Sequence, residues 1–252
     1  MDSADVILSR QRLLSGALTA AVQRLSDADE ANALHDLRVA LRRVQSLLVL
    51  LPDVDGGELS WAVRETIRLL GPARDLESLC AELERLGLDA VAVPRLRLLR
   101  RMRRDIARSQ TLHWLQQALA AWPGLAAAAR QRDADWPHPH RMARQQQRQL
   151  KTLRQGLEMA PVDRHAIRLL VKALRYSDRV YPEPGLFGPR QRAALKQAQA
   201  DVGRWHDTMH WLVLAESEDD LQVGVPGWQA SMRRFERDAD HSLEQLRQRL
   251  LR

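Results

Sequence analysis

The residues best suited to chemistry in this chain form two matched runs. One is His35-Asp36-Leu37-Arg38-Val39-Ala40-Leu41-Arg42-Arg43-Val44-Gln45, and the other is His165-Ala166-Ile167-Arg168-Leu169-Leu170-Val171-Lys172-Ala173-Leu174-Arg175. Both read His-x-x-Arg-x-x-x-(Arg/Lys), and they start 130 residues apart. On an α-helix, positions i, i+3, i+7 and i+10 fall within an arc of roughly 80°. The first arc holds His35, Arg38, Arg42 and Gln45, and the second holds His165, Arg168, Lys172 and Arg175. Cations held side by side on one helix face are suited to phosphate oxygens, and a guanidinium fork can hold two oxygens at once. A merely solvated helix face usually mixes charge signs to gain i,i+4 pairs. Asp and Glu are missing from both stripes, so they read as anion-binding faces. The apolar positions Leu37, Leu41, Val44 and Leu48, and Ile167, Val171 and Leu174, form separate arcs that face a core.

A second match follows each run. Gly71-Pro72-Ala73-Arg74-Asp75 corresponds to Gly203-Arg204-Trp205-His206-Asp207, with the first Gly 36 residues after His35 and the second 38 after His165. Two motifs in the same order at nearly the same spacing argue for an internal duplication. Arg24 and Arg154 each lie 11 residues before their copy's His, which points both at one common feature. The segment Arg95–Arg108 holds seven arginines against the single acid Asp105, the strongest local positive field in the chain. Within it Arg97, Arg101, Arg104 and Arg108 share one helix face. Asp75 and Asp207 read as structural partners that position a basic residue.

The elements that must carry these residues are helices. Ala, Leu, Arg, Gln and Glu dominate, and strand-type alternation is nearly absent. Eight helices are expected, roughly over 5–25, 31–51, 58–86, 94–122, 140–159, 163–181, 189–217 and 227–251. Turns are expected at Asp53–Gly57, Gly87–Pro94, Pro182–Gly185 and Val223–Gly227. The stretch of about 123–139 reads as a connecting segment, in which Leu125–Arg132 is long enough for a short helix. This gives a first half over 1–125 and a second over 138–252.

Bulk properties narrow the class. The 252 residues are enough for a sizeable core. There are 39 Lys and Arg against 32 Asp and Glu, a net charge of +7, which suits an anionic partner. Only Lys151, Lys172 and Lys196 are lysines; the other basic residues are arginines. A lone cysteine, Cys80, forms no internal disulfide and suits a reducing cytoplasm. It reads as a small buried residue. Met1–Arg10, with Asp2 and Asp5, does not read as a signal peptide. No run approaches the ~18 apolar residues of a membrane span. The seven tryptophans, Trp61, Trp114, Trp122, Trp136, Trp205, Trp211 and Trp228, are scattered and read as core or seam residues.

At these motifs the chain resembles the CHAD family, the conserved histidine α-helical domain. The resemblance rests on His35-Asp36-Leu37-Arg38-Val39 leading into Arg42-Arg43, on His165-Ala166-Ile167-Arg168 leading into Lys172-Ala173-Leu174-Arg175-Tyr176, and on the Gly-x-x-x-Asp opening after each. It covers essentially the whole chain, 1–252, including the arginine-rich 95–108 helix and the Lys151/Arg154 segment. It implies an all-α fold of two four-helix bundles related by a pseudo-two-fold duplication. It also implies a basic groove or pore between the bundles that binds inorganic polyphosphate, with no catalysis by the domain alone; no cofactor and no metal are expected. Arg43, Arg74 and Lys151 join the expected contacts on this ground. Association with polyphosphate granules is implied in the same way. The alternating Glu/Lys strand of the triphosphate-tunnel domain often fused to CHAD is missing, so the chain reads as a stand-alone member. Three positions depart from the family pattern: Gln45, Ala173 and His206 replace a basic, a basic and an Asn residue. His35 and His165 have two open roles, donating N–H to phosphate or hydrogen-bonding a neighbouring helix to fix the arginine rotamers.

Three rival readings stand beside this one. His206 and His210, at i and i+4 with Asp207 between them, have the spacing of zinc ligands on a helix. The general base of such a motif is usually Glu, and no third ligand is evident in the sequence. A nucleic-acid binder would use the same basic faces, but the tryptophans are not interleaved with them as stacking platforms. A scaffold that docks an acidic protein is the third.

Overall fold

The computed structural model describes residues 3–25, 33–51, 57–133, 135–159, 161–181 and 185–251. Met1 and Asp2, the beginning of the helix expected at 31, and most of the turns expected at 53–57 and 182–185 lie outside the described residues. Helices form nearly all of what is described, and no strand occurs among these residues. In chain order they are α1 (Ser3–Leu25), α2 (Ala33–Leu50), α3 (Glu58–Leu69), α4 (Gly71–Arg85) and α5 (Asp89–Ala107). There follow α6 (Gln110–Arg132), α7 (Pro139–Glu158), α8 (Arg164–Val180), α9 (Pro189–Ala215) and α10 (Val225–Leu251). A 3₁₀ segment, Asp219–Gly224, precedes α10.

Two expected helices are divided. The 58–86 helix is interrupted at Leu70, ahead of Gly71-Pro72, because Pro72 has no N–H to continue the ladder. The 94–122 helix is cut at Ser109, which is extended and whose Oγ accepts a 3.2 Å hydrogen bond from the Leu112 N–H. This serine N-cap starts α6. Conversely, α6 runs through Pro123 as far as Arg132. Trp122, Ala126 and Ala129 are buried along it, and that burial outweighs the one hydrogen bond a proline removes. The turn expected over 87–94 is shorter, because α5 already begins at Asp89.

The chain divides into two compact units, residues 1–80 with 93–143, and residues 81–92 with 144–252. In the first, α1 packs on α2, α2 on α3, α3 on α6, and α6 back on α1. Leu37, Leu41 and Val44 are fully buried there, as their arc predicts. In the second, α9 packs against both α8 and α10. Its core joins Leu150, Leu153 and Leu157 of α7 to Ile167, Val171 and Leu174 of α8, Leu195, Ala198 and Val202 of α9, and Leu243 and Leu246 of α10. Helices α7 and α8 approach closely at Gly156, where an added Cβ would stand 2.7 Å from Ile167 Cδ1.

A buried amide joins α7 to the end of α8. Gln146 is 0% exposed, and its Nε2 donates to Ser177 Oγ at 3.1 Å and to the Tyr181 carbonyl at 2.7 Å. Gln146→Ala removes both bonds and strands the buried Ser177 hydroxyl. It is expected to lower unfolding free energy by about 2 kcal/mol, read from a urea titration.

The tryptophans are not uniformly internal. Trp122, Trp136 and Trp228 are buried, whereas Trp61 on α3 and Trp114 on α6 are 43% and 44% exposed and pack on each other at 5.4 Å. Cys80 is buried. No described helix is long and apolar enough to cross a membrane.

Candidate anion-binding faces

Each unit contributes one stripe-bearing helix. In α2 the burial pattern keeps Leu37, Leu41 and Val44 inside, leaves His35 exposed, and leaves Arg38, Arg42 and Arg43 half-buried. Half-burial lets aliphatic stems lie on the protein, and Arg43 Nε is buried without a hydrogen-bond partner. Arg42 donates to Gln45 Oε1 at 2.9 Å, so the neutral member of the stripe holds one of its cations in place. The only acid of α2, Asp36, lies off the stripe and accepts a 2.7 Å hydrogen bond from Arg24. Arg24 therefore sits beside this helix, tied to a carboxylate.

The arginine-rich α5 sorts its cations by face. Arg97, Arg101 and Arg104, and Arg108 just past the helix end, are all exposed. Arg95 and Arg103 point inward, and Arg103, 8% exposed, donates to Glu77 Oε1 of α4 at 2.8 Å. This inward pair was not legible in the sequence, because a run so rich in arginine does not announce which members turn toward a core. Arg74, on α4, is half-buried.

In the second unit, Asp163 caps α8 by accepting from the Ala166 N–H at 3.0 Å. Ile167, Val171 and Leu174 face the core, His165 is exposed, and Arg168, Lys172 and Arg175 are half-buried. The remaining acid of α8, Asp178, is engaged by Arg192 of α9 in a two-bond pair at 2.9 and 3.0 Å. Arg175 donates a short hydrogen bond to Gln199 of α9. Its burial, and then the like charge of Arg179, push its guanidinium below the ordinary arginine range. A cation held beside another cation is a place where an added anion is favoured. Lys151 and Arg154 are exposed on α7.

The second stripe has a histidine neighbour on α9. His206 of α9 stacks on His165, with ring centroids 5.3 Å apart and planes 27° apart. Its Nδ1 is buried, lies 3.6 Å from Asp207 Oδ1 and makes no hydrogen bond. The stack braces His165 from the adjacent helix. Nearby, Arg164 forms a two-bond pair with Asp240 of α10, both at 2.8 Å, and lies over the Trp205 ring at 5.3 Å. No set of three or more His, Cys, Asp or Glu residues converges on a metal-sized site among the described residues.

These two units define an all-helical protein with a basic helix face in each. The chain belongs to the CHAD family, whose domain model matches residues 12–216. Among solved structures it is similar to the crystal structure of the CHAD domain from the plant Ricinus communis. That match has a TM-score of 0.76 at 21% identity and covers 98% of this chain and 91% of the plant chain. No curated protein matches the chain significantly.

Proposed function

We propose that this protein binds inorganic polyphosphate along its two basic helix faces and does not cleave it. The observation that carries the reading is the placement of acids around the stripes. Asp36 is held off the first stripe by Arg24, and Asp178 off the second by Arg192. Neither stripe has an acid at any of its own four positions, which favours a strongly charged anion. We further propose that the two units are copies of one four-helix plan, since the His-x-x-Arg runs open corresponding helices, α2 and α8. Recruitment to polyphosphate granules follows from this binding, and membership of the CHAD family supports it.

The test is a titration of long-chain polyphosphate across a salt series, with single-stranded RNA as the charge-matched control. Affinity for polyphosphate is expected to fall steeply with salt, by about 0.7–0.9 logarithmic units per logarithmic unit of salt for each phosphate neutralised. Equally tight binding of RNA would replace this reading with the nucleic-acid one.

A gain of affinity is expected from Asp36→Asn. The carboxylate repels a polyanion approaching α2, and its pair with Arg24 is half-exposed, at 46% and 39% for the two side chains. Removing it is expected to raise polyphosphate affinity about two- to threefold at low salt while changing stability by less than about 1 kcal/mol. Unchanged or weaker binding in a filter or calorimetric assay would place the polymer away from Arg24.

A further inference from the structure

The second unit holds a cleft unlike either stripe. Its volume is 610 Å³, within the usual range for a small-molecule site. Three elements of the same unit wall it: the end of α4 (Glu82, Arg85), the middle of α9 (Arg204, Asp207, Trp211) and α10 (Arg234, Phe235, Asp238). Three guanidinium groups face three carboxylates, so the wall carries no net charge. A polymer with about one negative charge per phosphate has no reason to prefer it.

Part of this charge is already committed. Arg85 makes a two-bond pair with Glu82, both at 2.7 Å, and the Trp228 indole N–H donates to the same carboxylate at 3.2 Å. Arg204 donates to Asp201, which lies outside the wall. Aromatic residues and their neighbours form much of the lining. The guanidinium groups of Arg204 and Arg234 lie 5.7 and 5.0 Å from the Phe235 ring centroid. Trp211, braced by Trp228 at 5.9 Å, adds a second aromatic wall. Asp207 and Asp238 stand with them, one on each of the two long helices.

We infer that this cleft binds a mononucleotide. Such a ligand has a planar base for Trp211, vicinal hydroxyls that donate to Asp207 or Asp238, and a phosphate for Arg234, with Arg204 beside it on the Phe235 ring. A guanidinium fork can hold two oxygens of one phosphate at once. Aromatic stacking with arginine on the same rings is also sequence-tolerant, so the base itself is weakly specified.

The experiment is calorimetric titration of the full chain with adenosine monophosphate, with adenosine, ribose 5-phosphate and long-chain polyphosphate as separate arms. Saturable one-site binding is expected, with adenosine and ribose 5-phosphate each at least about tenfold weaker, since each lacks one recognised part. Arg234→Ala and Asp238→Asn, both surface-accessible positions, are expected to weaken the monophosphate about tenfold, whereas Arg168→Ala/Lys172→Ala leaves it unchanged. No saturable heat with the monophosphate, or binding that survives Arg234→Ala, would overturn the inference. Loss of binding in the stripe variant, or simple displacement by polyphosphate, would also overturn it, because the ligand would then occupy the polymer's face.

Discussion

Replacing Arg38, Arg42, Arg168 and Lys172 together by alanine is expected to weaken polyphosphate binding by about two to three orders of magnitude at moderate salt. The estimate follows from four charge-assisted contacts at roughly 1 kcal/mol each, with tenfold in affinity per 1.4 kcal/mol. The slope of log affinity against log salt is expected to become shallower by about three, because four cations no longer displace counterions. The fold should survive, because all four side chains are only half-buried and the apolar arcs beneath them are untouched. Helical circular dichroism and an unchanged m-value in urea check that point. Changing the two pairs separately reports how the faces share the polymer. If both contact one chain, each pair should remove about half of the slope change. If only one face binds, one pair removes all of it. Wild-type affinity and slope in a folded quadruple variant would sink the proposal for both faces.

The basic stripes and the helical class were legible in the sequence because both depend on local periodicity. Spacing alone puts His165, Arg168, Lys172 and Arg175 on one arc and Ile167, Val171 and Leu174 on another, and the burial of the three apolar residues follows that division. Helix ends were harder to read. Ser109 is a good N-cap residue, but it stands in an arginine- and leucine-rich run without Gly or Pro, so the division between α5 and α6 was hidden. Pro123 gave the opposite error, a breaker that the packing of Trp122 and Ala126 overrides. Contacts between helices were not legible at all. The stacking of His206 on His165 and the bond from Arg175 to Gln199 both depend on the register of α9 against α8, which periodicity along one helix does not set. The inward turn of Arg103 toward Glu77 has the same origin, and so does the exposure of Trp61 and Trp114.

Leu174→Ala is expected to produce the largest loss of stability, about 2–5 kcal/mol, read from chemical denaturation. Leu174 is fully buried in the core built by α7, α8, α9 and α10, and it immediately precedes Arg175 of the basic stripe. Removing three carbons there takes away transfer energy and leaves a cavity that helices anchored on both sides close only in part. The substitution does not touch the charged face, so the native protein should keep nearly full affinity for polyphosphate. Linkage then makes a sharper statement. A ligand that binds only the folded chain adds RT ln(1 + [L]/Kd), about 2.7 kcal/mol at a hundredfold excess over Kd, equally to wild type and to Leu174→Ala. Polyphosphate should therefore raise both melting curves by the same free energy, while the quadruple stripe variant gains almost none. Equal stabilisation of the stripe variant would mean that the polymer is held elsewhere on the fold. Stabilisation of wild type but not of Leu174→Ala would mean that the core and the basic face are coupled, with α8 transmitting a packing change on one side to cation placement on the other.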